Sequence, residues 1–106
     1  MSSSDEIAGK IDSLWQTFLP TMLSRLSAIE AAIDSIEKGQ PDEDARGKAA
    51  QEAHKLAGSL GTFGLASSSV ASSQIENLLY QSGLTPASTA ELRNLFQSLK
   101  RDIESR

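Results

Sequence analysis

The sequence predicts an all-α protein, an up-down antiparallel four-helix bundle with an additional N-terminal helix. Three observations carry that expectation. Leu and Ala occur 13 times each and Ile 7 times, while Val occurs once and aromatic residues make up 5%; this is poor in the residue types that strands favour. Apolar residues recur at alternating steps of three and four, the period of one helix face. The breaks between these stripes are short, and helices joined by short connections pack antiparallel. With 106 residues, 39% of them hydrophobic, the chain is expected to form a single domain over residues 1–106 with one modest core.

Taken in order, Ile7, Ile11, Leu14, Trp15 and Phe18 form the first stripe, that of the additional N-terminal helix. Pro20 has no N–H to donate and its ring crowds the preceding turn, so it is expected to kink or split the helical stretch. Leu19, Met22, Leu26, Ile29, Ile33 and Ile36 form the seam of the next helix. Gly39-Gln40-Pro41-Asp42 ends it, since Gly closes helices and Pro opens them. Ala49, Ala53, Leu56 and Leu60 mark a helix with a thinner stripe, followed by a softer break from Gly61 to Gly64. Ala71, Ile75, Leu78 and Leu79 mark the next, and Ser67, Ser68, Ser69, Ser72 and Ser73 lie inside its period and are read as helical. After Ser82-Gly83-Leu84-Thr85-Pro86, the last helix carries Leu92, Leu95, Phe96, Leu99 and Ile103. Ser88 with Glu91 fits a capping box for its start, and Thr85-Pro86 offers an earlier one.

Composition excludes several functions. There is no Cys, hence no disulfide scaffold, thiolate zinc site or Cys nucleophile. One His cannot build a His-rich metal site. A net charge of −4 opposes non-specific nucleic-acid binding, which needs a basic surface to displace phosphate counterions. No apolar run approaches the roughly 20 residues of a membrane span. The opening Met-Ser-Ser-Ser-Asp-Glu lacks the basic and apolar regions of a signal peptide, so the expected compartment is the cytoplasm. The initiating Met and short tails favour a free-standing protein over a piece of a hybrid kinase.

The pattern breaks in one place, around the only His. On a wheel of about 100° per residue, Ala49, Ala53, Leu56 and Leu60 face the core and His54 points away. Gly47, Ala50, Ala57, Gly58 and Gly61 share its face. Gly in a helix interior costs roughly 1 kcal/mol relative to Ala, so Gly58 and Gly61 do nothing for stability there. They leave a bare strip along which another protein can approach the imidazole. The competing reading is that they permit close helix packing, and that Gly61 merely begins the fraying C-terminus of the helix.

His54 lies ten residues before Gly64. At about 1.5 Å rise per residue, the level reached on the returning helix is near residues 73 to 77. Glu76 falls there, on the side of Ser69, Ser72, Ser73 and Tyr80 and off the Ile75–Leu78 stripe. A carboxylate at that level can accept the Nδ1–H bond, fix the tautomer and leave Nε2 as the nucleophile; the competing reading is an ordinary solvated charge. Lys48, Gln51 and Lys55 lie on one flank of His54, where they can offset phosphoryl charge or meet an acidic partner. Lys55 is the best placed of them.

The stretch His54-Lys55-Leu56-Ala57-Gly58-Ser59-Leu60-Gly61-Thr62-Phe63-Gly64-Leu65 resembles the signature of the histidine-containing phosphotransfer (HPt) domain of two-component and phosphorelay signalling. The family pattern has an apolar residue two after the His, usually Lys three after, Gly four after, small residues next, and Gly-Leu or Gly-Ala ten and eleven after. His54, Leu56, Gly58, Ser59, Gly64 and Leu65 match it. The family also keeps Gln or Glu on the following helix, 22 positions after the His, which is Glu76 here. The resemblance implies that this residue hydrogen-bonds the imidazole Nδ1 and that phosphate goes onto Nε2. Glu at that position resembles the phosphotransfer domain of the chemotaxis kinase; many relay shuttles carry Gln. One departure stands out: the family's usual Lys is Ala57, so Lys55, or a Lys of the receiver, is left as the partner for phosphoryl charge.

The resemblance implies a phosphocarrier and not a stand-alone enzyme. His54 would accept a phosphoryl group from, or pass it to, an Asp of a response-regulator receiver domain, or take it from a histidine kinase. No cofactor is expected on this chain; Mg²⁺ belongs to the partner receiver, and no metal, nucleic acid or membrane is expected to bind. A monomer is expected. Docking is assigned to Gly58, Ser59, Gly61, Gln51 and Ala57, with Trp15 and Phe18 as further candidates that core packing would equally explain. The alternative is a non-phosphorylated helical adaptor or dimerisation bundle. It accounts for the stripes but not for the bare strip around His54. An enzyme or metal protein using His54 and Glu76 fits less well, because two ligands are too few for a zinc site.

Overall fold

The computed structural model describes the backbone of residues 3–106 and the side chains from Glu6 onward. Helices α1 (Ser3–Glu37), α2 (Glu43–Leu60), α3 (Ala66–Tyr80) and α4 (Pro86–Ser105) account for most of these residues, with one 3-10 turn at Gly61–Phe63 after α2. There is no strand among the described residues.

The separate N-terminal helix expected from the sequence is not found, because α1 runs unbroken through Pro20. At about 1.5 Å per residue its 35 residues reach ~52 Å, matching the long molecular dimension of 55 Å. Pro20 leaves the Gln16 carbonyl without its helical donor, but both residues are exposed and water can serve that carbonyl. On either side of the Pro, Trp15 and Met22 are buried in the same core. Their burial holds both halves of α1 in place and outweighs the local penalty.

The other boundaries follow from caps. Gly39 takes φ +71°, a left-handed conformation that closes α1. The Asp42 carboxylate accepts from the Asp44 and Ala45 amides at 3.0 and 3.2 Å and opens α2. Gly64, at φ +78°, reverses the chain into α3. Of the two candidate starts for α4, the earlier is used: Thr85 accepts from the Ser88 amide at 3.1 Å and Pro86 follows it. Ser88 therefore lies within the first turn and is not the cap.

The core gathers Trp15, Met22, Leu26, Ile29 and Ile33 from α1, Ala53, Leu56 and Leu60 from α2, Ile75 and Leu79 from α3, and Leu92, Phe96, Leu99 and Ile103 from α4. Contacts link α1 to α2, α2 to α3, α3 to α4 and α4 to α1, which closes a ring. Polar pairings lie along these seams. Ser69 Oγ donates to the Ala57 carbonyl at 2.5 Å. Arg46 Nε donates to the Leu79 carbonyl at 2.9 Å, and its Nη2 to that of Gln81, supplying carbonyls that the end of α3 leaves unpaired. Arg93 on α4 grips Asp34 at 2.5 Å, Glu37 at 2.7 Å and Glu30 at 3.3 Å on α1. The hydrogen bond from Arg93 holds the Glu37 carboxyl below its ordinary range. The serine-rich stretch is helical as expected, with Ser68 and Ser72 buried: Ser72 donates to the Ser68 carbonyl and Ser68 to Asp102, at 2.9 and 3.0 Å.

Candidate functional site

Helix α2 sets the site. Ala49, Ala53, Leu56 and Leu60 are fully buried, so the helical period turns His54 outward, and 73% of its side chain is exposed. The ring is nonetheless held. Its Nδ1 lies 3.1 Å from Glu76 Oε1 on α3, at the level that the hairpin arithmetic reached. A carboxylate only accepts hydrogen bonds, so this contact assigns the proton to Nδ1. Among the described residues Nε2 has no hydrogen-bond partner. The Glu76 side chain is only 20% exposed, so this anchor is better fixed than an ordinary surface charge.

Beside His54 the surface is bare. Gly58 and Gly61 are exposed, and a Cβ built on either would meet no atom within 4 Å. Close helix packing therefore does not explain them, but Gly61 caps the C-terminus of α2 and opens the 3-10 turn, as the competing reading of that glycine expects. The strip is shorter than the wheel suggested: Ala50 is 0% exposed and belongs to the core. Because α2 packs against both α1 and α3, its buried arc is wider than the Ala49–Leu60 stripe and takes in Ala50. Gly47 and Ala57 are half-buried, and the Ala57 carbonyl is taken by Ser69.

Two openings flank this surface. One, about 380 Å³, is lined by Gln51, His54, Lys55, Glu76 and Tyr80. The other, about 520 Å³, has Leu14, Phe18, Lys55, Gly58, Ser59 and Phe63 among its lining residues. Lys55 borders both. Its Nζ is 3.4 Å from Glu52, which also holds Arg25 at 3.3 Å. Two cations thus share one carboxylate on the side of α2 facing α1. Lys48 and Gln51 are exposed. The Ser59 hydroxyl turns back to the Lys55 carbonyl at 2.8 Å.

The two aromatic candidates separate. Trp15 is 1% exposed and belongs to the core, whereas Phe18 is 46% exposed and lines the larger groove. Phe63 lies between them, 5.1 Å from Trp15 edge-to-face and 6.5 Å from Phe18, centroid to centroid. Sequence reasoning gave no role to Phe63, Arg25 or Tyr80. Tyr80 had a signal, being one helical turn after Glu76 on the same side. Arg25 and Phe63 had none, since their place depends on how α1 lies across α2.

Four helices presenting one anchored, outward-facing imidazole beside a bare strip define a class: a helical module that offers a single histidine to other molecules. The sequence profile of the Hpt domain matches residues 13–104. The chain belongs to this family, whose members are phosphocarrier modules in two-component phosphorelay signalling. No curated protein and no solved structure gives a significant match. Among the described residues, no helix is long and apolar enough to cross a membrane.

Proposed function

We propose that this chain carries a phosphoryl group on His54 Nε2, exchanging it with an aspartate of a response-regulator receiver domain or taking it from a histidine kinase. One observation carries the reading: an imidazole with most of its side chain in solvent is tied through Nδ1 to a largely buried carboxylate. In the step from a receiver, the Nε2 lone pair attacks the phosphorus of the aspartyl phosphate in line. The P–Nε2 bond forms as the bond to the aspartate oxygen breaks, and the aspartate leaves as a carboxylate. Positive charge develops on the ring, and Glu76 offsets it through Nδ1–H.

Lys55 is the phosphoryl charge partner of this chain in place of the Lys absent at Ala57. Gly58 and Gly61 admit the receiver, and Ser59, Gln51 and Ala57 border its footprint. Mg²⁺ and the acceptor Asp come with the receiver, so the chain needs no cofactor, and one copy of it suffices. Residues 1–106 act as one domain, read as an up-down antiparallel bundle. The pairings of Ala57 with Ser69, His54 with Glu76, and Arg46 with Leu79 support that direction for α2 and α3, since numbers fall on one helix as they rise on the other. The compartment that fits such partners is the cytoplasm.

The test is to mix the chain with a phosphorylated receiver domain and measure acid-labile phosphate on it. The wild-type chain gains the label, and His54→Gln gains none while keeping its helix content and melting temperature. Undiminished labelling of His54→Gln rejects the assignment.

A further inference from the structure

We infer that Arg106 is a positioning residue for receiver docking: it holds the ring of Phe63 against Trp15 and so fixes the apolar wall of the groove beside His54. The inference rests on the phosphocarrier reading and adds to it how the docking surface is kept in shape.

The Arg106 guanidinium stands 5.0 Å from the Trp15 ring centroid and 5.7 Å from that of Phe63. Its Nε donates to the Phe63 carbonyl at 3.0 Å and its Nη1 pairs with Asp12 at 3.3 Å. One side chain therefore joins α1, the 3-10 turn and the residue that follows α4. A planar guanidinium can stack on rings while donating in its own plane, which an ammonium cannot do.

Phe63 is the element that needs holding. It sits at the end of a three-residue turn that begins at Gly61 and is followed by Gly64, two residues with no side chain to pack beside it, so its ring is held by Trp15 and Arg106. Phe63 lines the groove with Phe18, Gly58 and Lys55. Arg106 braces this wall through Trp15, a ring of the core and not of the groove. His54 lies earlier on α2 and has its own anchor in Glu76. Release of the brace should blur the wall and spare the nucleophile.

The experiment compares the wild-type chain with Arg106→Ala and Arg106→Lys. The probes are a receiver domain that labels the wild-type chain, titrated over its KM, and phosphoramidate, a small donor that needs no docking surface. Trp15, the only Trp, reports on the brace by fluorescence. Arg106→Ala should raise the KM for the receiver at least about threefold with kcat nearly unchanged. Labelling by phosphoramidate should hold, and Trp15 emission should move to the red with easier quenching. Arg106→Lys should fall between the two. If Arg106→Ala does not fold, a raised KM in a normally helical Arg106→Lys supports the brace equally. An unmoved KM with intact His54 labelling overturns the role of Arg106 alone. A parallel loss of kcat, phosphoramidate labelling and helix content also overturns it, as a general structural effect. A wild-type chain that takes phosphate from neither donor overturns the phosphocarrier reading and this inference together.

Discussion

Gly58 offers a test in which stability and transfer should move in opposite directions. It lies in the last turn of α2, exposed, with no left-handed φ and no atom within 4 Å of a built Cβ. Ala there meets no clash and removes the conformational penalty of Gly, roughly 0.5 to 1 kcal/mol. For a domain near this size, 1 kcal/mol shifts the melting temperature by roughly 4 to 8 °C. Gly58→Ala should therefore melt about 2 to 8 °C higher than the wild type. Gln has nearly the helix propensity of Ala, so Gly58→Gln should gain a similar amount.

The two variants should part at the proposed docking surface. Gly58→Gln lays a long side chain along the edge of the groove that Phe18, Lys55 and Phe63 also line. Forcing such a group into a close contact costs about 1 to 3 kcal/mol, and each ~1.4 kcal/mol is a factor of ten in rate. Transfer from a phosphorylated receiver should fall roughly 5- to 140-fold in kcat/KM. Labelling by phosphoramidate should stay near wild type. Thermal melts followed by circular dichroism and single-turnover transfer with labelled receiver read both effects. A Gly58→Ala variant that melts lower than wild type would show that the glycine serves packing. A Gly58→Gln variant that transfers at the normal rate would remove the argument from access.

Two further outcomes follow from the side-chain geometry. Glu76→Ala removes the acceptor 3.1 Å from His54 Nδ1, so the neutral ring should drift toward the Nε2–H tautomer and labelling should slow about tenfold without stopping. Glu76→Gln keeps an acceptor and should recover most of the rate, and ¹⁵N NMR of the imidazole with labelling kinetics checks both; an unchanged tautomer ratio and rate in Glu76→Ala would return the carboxylate to a solvated charge. Arg93→Ala leaves Glu30, Asp34 and Glu37 without their shared cation and should destabilise the fold by roughly 1 kcal/mol at neutral pH. Because the Arg93 hydrogen bond lowers the Glu37 carboxyl, the stability linked to it is present above the ordinary carboxylate value and lost as pH falls through the lowered one. The wild type should therefore lose melting temperature more steeply than Arg93→Ala between about pH 5 and 3, and equal slopes would reject the linkage.

Much of the fold was legible because it rests on local rules. The apolar stripes located the helices, and Gly39, Gly64 and Gly83, all at positive φ, lie in the breaks. What escaped was each case where burial outweighed a local signal. Pro20 argued for a split, yet Trp15 and Met22 anchor α1 on both sides of it. Ser68 and Ser72 read as helical but lie outside the Ala71–Leu79 stripe, yet both are buried, and a short hydroxyl that bonds the preceding turn, as Ser72 does, is satisfied inside a core. Ala50 read as part of the open strip because one wheel has one apolar face, and α2 has two neighbours.

The site divides along the same line. The His54–Glu76 contact depends on one hairpin, so rise per residue and the position of Gly64 were enough to place it. The wall beside it joins Asp12 and Trp15, Phe63 and Arg106, and the Asp12–Arg106 pair spans 94 positions of sequence; no periodicity within one helix encodes such a meeting. The division also separates what substitutions should do. If His54 is the phosphoacceptor proposed, a change in the hairpin should alter the nucleophile and be felt by every phosphoryl donor, large or small. A change in the long-range wall should alter the proposed receiver-docking surface and leave a small donor indifferent. Two donors of different size, applied to the same variants, therefore tell chemistry from recognition in this domain.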